Sequence, residues 1–152
     1  MLVIRKAREE DCNYYFELVN DPLVRQNSIQ NSQIPWEVHK KWFAQKLTAT
    51  SSLLLVAEID NMFLGQVRFD FDTSTEGWFI DYSIVKSYRG KGYGRALLRD
   101  AIEYLCKQVE RDCFINAVVK NENLPSKRVF ESLGFQINRE ESGIIFYTKC
   151  CD

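Results

Sequence analysis

The apolar residues of this chain recur with two different periods, and each period predicts its own kind of element. Runs rich in Val, Ile, Leu and Phe predict β-strands over 2–7, 52–60, 61–72, 77–85, 113–120 and the two halves of 136–149. Apolar residues spaced three and four positions apart predict α-helices over 9–20, 35–47, a long segment after 92 that ends near Glu110, and 124–135. The predicted order is β-α-α-β-β-β-α-β-α-β-β, which indicates an α/β (α+β) domain around a mixed sheet.

Length and charge narrow the class of protein. With 152 residues the chain is long enough for a sizeable core, and we expect one domain over 1–152. A net charge of −1 gives no bulk attraction to nucleic acid. The sequence has no apolar run long enough to span a membrane, and its first residues turn charged too soon for a secretory signal. We therefore expect a cytoplasmic protein without nucleic-acid or membrane partners, and the oligomeric state stays open, a homodimer included.

The cysteines and the single histidine predict no metal site. Five cysteines occur, at positions 12, 106, 113, 150 and 151, and none of them forms a CxxC pair. Zinc sites need closely spaced cysteine or histidine ligands, and this spacing is absent. An odd number of cysteines without the spacing of a disulfide framework predicts reduced thiols.

A glycine-rich segment between a predicted strand and a predicted helix is a candidate anion site. Its glycines are Gly90, Gly92 and Gly94. The first N–H groups of a helix have no intrahelical partner, and glycines let the backbone approach a ligand closely and adopt positive φ. The basic residues around them are Arg89, Lys91 and Arg95. The segment fits neither GxxxxGK[ST] nor GxGxxG, so it indicates a phosphate or pyrophosphate site of another kind, or a solvated glycine-rich turn.

Two motifs together resemble those of the GNAT family of N-acetyltransferases. The segment from Arg89 to Gly94 resembles the family's acyl-CoA-binding signature, Arg/Gln-x-x-Gly-x-Gly/Ala. Downstream, NENLPSKRVFESLGF resembles its second hallmark, with Asn123, Ser126 and the Gly134–Phe135 pair in place. The resemblance covers nearly the whole chain. It implies the GNAT fold, a mixed and mostly antiparallel sheet of six to seven strands with four helices, and acetyl transfer from acetyl-CoA to a primary amine by direct attack on the thioester.

The resemblance also implies where acetyl-CoA binds. Main-chain N–H groups of the glycine-rich segment would hold the pyrophosphate, and the pantetheine arm would pair with the end of the fourth strand, where that strand and the fifth splay apart. Asn123 would contact the arm, or cap the helix that follows it. The implied cofactor-binding residues are Ser83, Ile84, Val85, Arg89, Gly90, Lys91, Gly92, Tyr93, Gly94, Arg95, Asn123, Ser126 and Phe130.

The catalytic residues of the family do not carry over. Many members have a Tyr as the acid seven residues after the Asn, where this chain has Phe130, and some have a Glu as the base five residues before it, where this chain has Val118. We consider His39 and Asp81 as substitute catalytic residues, because an unperturbed imidazole has a pKa near 6.5 and Asp81 is a polar residue within the fourth strand. Tyr82 points to the opposite face from Asp81, so at most one of the two faces the acceptor.

The N-terminal half suggests an acceptor. Its N-x-P-x-V-R pattern with the later H-x-x-W-F resembles a branch that acetylates nucleotide-linked amino sugars, such as UDP-amino sugars, in surface-polysaccharide pathways. Arg25 would pair with a diphosphate and Trp42 would stack on a sugar or base, although core packing and a surface ion pair explain them as well. The candidate substrate-binding residues are Arg25, His39, Trp42 and Tyr82. A protein N-terminal acetyltransferase of the ribosomal-protein type and a non-catalytic acyl-CoA-binding module are the alternatives.

Overall fold

The computed structural model of the protein describes residues 1–109 and 113–151. Its strands are β1 (Leu2–Lys6), β2 (Ser52–Ile59), β3 (Met62–Asp72), β4 (Gly77–Ile84), β5 (Cys113–Lys120), β6 (Gln136–Glu141) and β7 (Ile144–Cys151). They form a seven-stranded sheet in the order β1-β2-β3-β4-β5-β7-β6. Neighbouring strands are antiparallel except for β4 and β5, which pair in parallel. The predicted mixed and mostly antiparallel sheet is confirmed.

Tight turns fix the register of two hairpins. Asp60 and Asn61 both have positive φ, 50° and 66°, as a two-residue turn between twisted strands requires. The hairpin predicted around these two residues is therefore confirmed. Ser142 and Gly143, with φ of 51° and 76°, connect β6 to β7 in the same way.

The helices are α1 (Cys12–Val19), α2 (Pro22–Asn27), α3 (Trp36–Thr48), α4 (Tyr93–Gln108) and α5 (Leu124–Ser132). The four-helix prediction missed α2. The sequence does contain signals for the start of α2, because Asp is a common N-cap residue and Pro is common in the first turn. Asp21 accepts hydrogen bonds from the N–H groups of Leu23 and Val24, and Pro22 occupies the first turn. The predicted end of the long helix near Glu110 lies outside the described residues.

The helices cover the two faces of the sheet, and the alternation of side chains along β2 shows how. Leu54 and Val56 pack in one cluster with Tyr15 of α1 and Phe43 of α3. Leu55, between them, packs in the other cluster, which includes buried residues of α4 and α5. Both faces of β2 are therefore buried, which explains its nearly continuous apolar sequence.

A disulfide corrects the expectation of reduced thiols. Cys106 of α4 and Cys151 of β7 are bonded, with their Cα atoms 6.2 Å apart. The two cysteines are separated by 45 residues in sequence and meet only because the end of α4 packs over the end of β7. The spacing of cysteines along the sequence therefore does not indicate this disulfide. Cys12 and Cys150 carry free thiols.

A buried ion pair connects β1 to the turn that leads into α1. The guanidinium of Arg5 donates two hydrogen bonds to Asp11, of 2.7 Å and 3.0 Å, and a third of 2.8 Å to Glu58 of β2. The carboxylate of Asp11 is 1% exposed and also accepts a hydrogen bond from the Arg8 backbone N–H. Burial alone would raise the pKa of Asp11, but the hydrogen bonds from Arg5 and Arg8 outweigh it and the pKa lies below its usual range.

We expect Asp11→Ala to lower the free energy of unfolding by about 3 kcal/mol at neutral pH, because it leaves Arg5 incompletely paired. Since the pKa of Asp11 is lower in the folded state, its contribution is fully present above about pH 4 and is lost as the pH falls through the folded pKa. The measurement is urea unfolding across pH. Glu103→Ala, which breaks an exposed pair with Lys107 on α4, is the control and should cost about 0.5 kcal/mol or less. Equal effects of the two substitutions would contradict this assignment.

Candidate functional site

A cleft of about 940 Å³ opens where β4 and β5 separate. Parallel pairing between them ends at Phe79 and Asn116, although both strands continue for several residues. The edge of β4 beyond Phe79 therefore has no strand partner on the β5 side. Its main-chain groups are available to a ligand, apart from the Ile84 carbonyl, which bonds to Arg89. This is the splay that the resemblance implied.

The glycine-rich segment forms one end of the cleft. Gly90 and Gly92 have φ of 73° and 84°, and a side chain at either position would meet no atom within 4 Å. Gly92 is the N-cap of α4, so the unpartnered N–H groups of the first turn lie beside the cleft. Gly94 does not need positive φ, because it lies inside α4. A Cβ there would lie 3.5 Å from Val129 and 3.8 Å from Tyr82, which are ordinary contact distances, so Gly94 lies where α4 packs against α5 and β4.

The basic side chains of this segment differ from the prediction. Arg89 Nε donates to the carbonyl of Ile84 at 2.8 Å, and its Nη2 lies 3.0 Å from Asp21 Oδ1. The Arg89 side chain therefore connects β4 to Asp21, and only the Arg89 backbone remains a candidate to bind the pyrophosphate. Lys91 is exposed and lies outside the lining of the cleft, whereas Arg95 lines it.

The end of β4 is also more limited than predicted. Ser83 and Ile84 line the cleft, but Val85 does not. The N–H of Val85 donates to the carbonyl of Leu64 at 3.0 Å, so it is already paired on the β3 side. The prediction that Val85 binds the pantetheine arm therefore has no support in this geometry.

The first turn of α5 also lines the cleft. Asn123 caps the helix, because its Oδ1 accepts a hydrogen bond of 3.4 Å from the Ser126 N–H. The hydroxyl of Ser126 is 2.8 Å from that of Tyr82, across the gap between α5 and β4. Phe130 is 3% exposed, and its ring packs edge-on against those of Tyr82 and Phe135.

Asp81 faces the other way and belongs to a polar wall of the cleft, which we define as Trp42, Gln66, Arg68 and Asp81. Asp81 is more than half exposed, with Oδ2 accepting a hydrogen bond of 3.1 Å from Gln66 and lying 4.0 Å from Arg68. Since Tyr82 points to α5, the two neighbours face opposite sides of β4 as predicted, and Asp81 is the one on the polar wall.

Arg68 organises the polar wall. Its guanidinium lies 5.1 Å from the ring centre of Trp42 and donates a 2.8 Å hydrogen bond to Asp70. Burial would raise the pKa of Asp70, but hydrogen bonds and charge from Lys46 and Arg68 lower it below its usual range, so the carboxylate stays ionised. One face of Trp42 is thus covered by Arg68, which leaves that face closed to a sugar or base.

Arg25 lines the cleft, but its guanidinium is already hydrogen-bonded to neighbouring groups of the chain. Its guanidinium donates to the carbonyls of Val19, Gln30 and Ser32, at 2.6 Å, 2.8 Å and 3.1 Å, and to the hydroxyl of Ser28 at 3.1 Å. These bonds hold the segment 28–32 against α1 and α2. The predicted pairing of Arg25 with a diphosphate would cost these bonds, and the geometry argues against it.

His39 is buried in the wall of the cleft. It is 2% exposed, its Nε2 is 3.1 Å from the carbonyl of Cys12, and its ring lies among those of Phe16 and Trp42. An Nε2–H that donates to a carbonyl fixes the tautomer, and burial lowers the pKa of His39, so the ring is neutral. These contacts favour a structural role over the predicted base.

Comparisons with known proteins identify the family of this chain. Residues 1–136 match the family described as acetyltransferase (GNAT) domain. The chain is 25% identical over 150 residues to YokL, an SPbeta prophage-derived uncharacterized N-acetyltransferase of Bacillus subtilis strain 168, with 95% of this chain and 81% of YokL covered.

Two solved structures share the fold. Spermidine N-acetyltransferase from Vibrio cholerae, in complex with CoA and spermine, superposes with a TM-score of 0.86 at 16% identity over 98% of this chain and 95% of that one. RimL, a ribosomal L7/L12 alpha-N-protein acetyltransferase in complex with CoA, superposes with a TM-score of 0.80 at 15% identity, over 97% of this chain and 93% of RimL.

The chain belongs to the GNAT acetyltransferase family, and acetyl-CoA is the acyl donor of an acetyltransferase of this type. Within residues 1–109 and 113–151 no group of three or more His, Cys, Asp or Glu side chains could hold a metal ion. Across the same residues, no helix combines the length and the apolar character needed to cross a membrane.

We expect Gly92→Ala to weaken CoA binding about tenfold or more, because the methyl group projects into the open end of the cleft and the left-handed φ is strained. Calorimetric titration with CoA measures the change. Gly143→Ala is the matched control, since Gly143 also has positive φ and open surroundings but lies in the β6–β7 turn, outside the cleft lining. A comparable loss of affinity in both variants would mean that strain, and not the position at the cleft, is responsible.

His39→Gln separates the two roles of the imidazole. We expect near wild-type turnover, because the Gln amide can still donate to the Cys12 carbonyl, whereas His39→Ala should lower the melting temperature by leaving a cavity and an unpaired carbonyl. Turnover and thermal unfolding of both variants test this. A stable Gln variant with strongly reduced turnover would restore His39 as the base.

Proposed function

We propose that this protein transfers the acetyl group of acetyl-CoA to the primary amine of a compact small molecule, by direct attack of the amine on the thioester. One observation carries the proposal: the unpaired edge of β4 runs from the polar wall to the glycine N-cap of α4. A main-chain edge, the N-terminus of α4 and a carboxylate therefore lie along one cleft.

The residues of the cleft fit CoA. The space beside Gly90 and Gly92 is open, and the N-terminus of α4 and Arg95 provide positive potential for a pyrophosphate. The main-chain groups of the β4 edge that have no partner suit the amide-rich pantetheine arm, and Ser83 and Ile84 line the cleft beside them. The thioester, when bound, supplies an activated acyl carbon, and an N–H of the β4 edge would polarise its carbonyl.

Asp81 is the residue that we assign to the amine. Its exposed carboxylate attracts an ammonium group, which must lose one proton to solvent before the neutral amine can attack. Asp81 then accepts the second proton, which the nitrogen gives up once the C–N bond has begun to form and the nitrogen has become acidic. The hydrogen bond from Gln66 orients the carboxylate, and the 4.0 Å separation from Arg68 leaves it free of a tight ion pair.

A structural neighbour and the contacts of Arg25 and Trp42 support a small amine as the acceptor. A spermidine acetyltransferase with this fold supports a small polyamine or a similar amine. A nucleotide-linked amino sugar remains a candidate, but the occupied guanidinium of Arg25 and the covered face of Trp42 remove the contacts that favoured it. A protein N-terminus as acceptor would need an open groove. Arg25 fixes the segment 28–32 along this side of the cleft, which argues against such a groove. A non-catalytic module would leave the exposed carboxylate of Asp81 without a role.

The test is calorimetric titration of the protein with acetyl-CoA, followed by free-thiol release with polyamines, UDP-amino sugars and peptides. We expect binding, and turnover with a small amine. Turnover with peptides alone would replace the small-molecule acceptor by a protein. Binding without turnover on any class of amine would favour the non-catalytic module, and absence of binding would overturn the whole proposal.

Asp81→Asn should lower kcat/KM for the amine by about 100-fold, since the amide neither attracts an ammonium group nor accepts its proton. Affinity for CoA should be unchanged, because Asp81 lies on the polar wall and not at the glycine N-cap. Steady-state kinetics and titration measure the two effects. Glu103→Gln, an exposed carboxylate on α4, is the control for the change in net charge. A wild-type rate in Asp81→Asn would remove Asp81 from catalysis.

A further inference from the structure

Acetyl transfer releases a thiolate, and a proton donor near the sulfur would help it to leave. A thiol has a pKa of about 8.5, so a thiolate at neutral pH takes up a proton readily when one is supplied. Phe130, where many GNAT relatives carry the acid, has no proton to give and packs among aromatic rings. The cleft nevertheless contains a phenol hydroxyl directly beside this position.

That hydroxyl belongs to Tyr82. The ring of Tyr82 leaves β4 on the side opposite Asp81 and meets the ring of Phe130 edge-on, with 5.8 Å between their centres. Its Cε2 is 3.8 Å from the point where a Cβ of Gly94 would lie. The side chain therefore occupies the space between the first turn of α4 and the first turn of α5.

Ser126 fixes the direction of this hydroxyl. The two oxygens are 2.8 Å apart, and Ser126 is itself held in the first turn of α5, where Asn123 caps its N–H. Both Tyr82 and Ser126 line the cleft, next to the part of β4 that has no partner in β5. A thioester bound along that edge would have the Tyr82–Ser126 pair on one side and Asp81 on the other.

We propose that Tyr82, positioned by Ser126, donates the proton that the CoA sulfur takes up when the C–S bond breaks. The inference rests on the proposed acetyl transfer. As the amine nitrogen bonds to the acyl carbon, the electron pair of the C–S bond passes to sulfur, and the O–H proton of Tyr82 passes to that sulfur. The tyrosinate is reprotonated through the Ser126 hydroxyl from solvent, and the proton lost by nitrogen leaves through Asp81, so the products are the amide and CoA thiol.

The surroundings of Tyr82 favour the protonated form of its phenol. Burial raises the pKa of Tyr82, the hydrogen bond with Ser126 offsets part of that rise, and the nearby charge of Asp81 adds to it. The phenol is therefore protonated throughout the neutral range.

The test compares Tyr82→Phe with the wild type and uses the ionisation of bound CoA as a readout that does not depend on turnover. A hydrogen bond from Tyr82 stabilises the thiolate, so the pKa of the bound CoA thiol should be about one unit lower in the wild type than in the variant. The ultraviolet absorbance of the thiolate, followed against pH at saturating CoA, gives both values. Ser126→Ala should shift the pKa in the same direction by a smaller amount.

Kinetics complete the experiment. Tyr82→Phe should lower kcat about 10- to 100-fold and leave the affinity for CoA unchanged. Tyr104→Phe, on α4 outside the cleft lining, is the matched control and should change neither quantity. An unchanged thiol pKa and kcat in a folded Tyr82→Phe variant that binds CoA would overturn the role of Tyr82 alone. A wild-type protein that binds no CoA would overturn both this role and the proposed function.

Discussion

The early end of pairing between β4 and β5 is the constraint on which the site depends. Both strands continue past Phe79 and Asn116, yet their hydrogen bonding stops there. Main-chain groups without partners are costly unless water or a ligand bonds them, and here they line an open cleft. Beyond the end of β4 at Ile84, the chain passes through a short turn at Lys86–Tyr88 to Gly92, the N-cap of α4, so the unpaired edge and the N-terminus of α4 line the same cleft.

The two-residue repeat of a strand then decides which side of the β4 edge each polar side chain lies on. Successive side chains of β4 point to opposite faces, which puts the carboxylate of Asp81 on the polar wall and the hydroxyl of Tyr82 against α5. An acyl carbon bound along the edge between them would lie between the proton acceptor and the proton donor that we propose. The two proposed functions would then come from adjacent residues of one strand.

Local patterns made the hairpins and the glycine N-cap predictable, because a turn at Asp60 or a helix start at Gly92 depends on neighbours in sequence. The roles of Arg25 and His39 were not predictable in this way. Their partners are backbone carbonyls, one of them 27 residues away, and carbonyls leave no trace in an amino-acid pattern. The disulfide between Cys106 and Cys151 was not predictable either, because only the packing of α4 on the sheet brings the two cysteines together.

Arg89 connects the two halves of the cleft. It joins the last carbonyl of β4 to Asp21, and Asp21 caps α2. Arg25 of α2 in turn fixes the segment 28–32 that borders the polar wall. The two arginines that the sequence offered as anion ligands therefore link the glycine-rich segment, through α2, to the segment 28–32 on the same cleft.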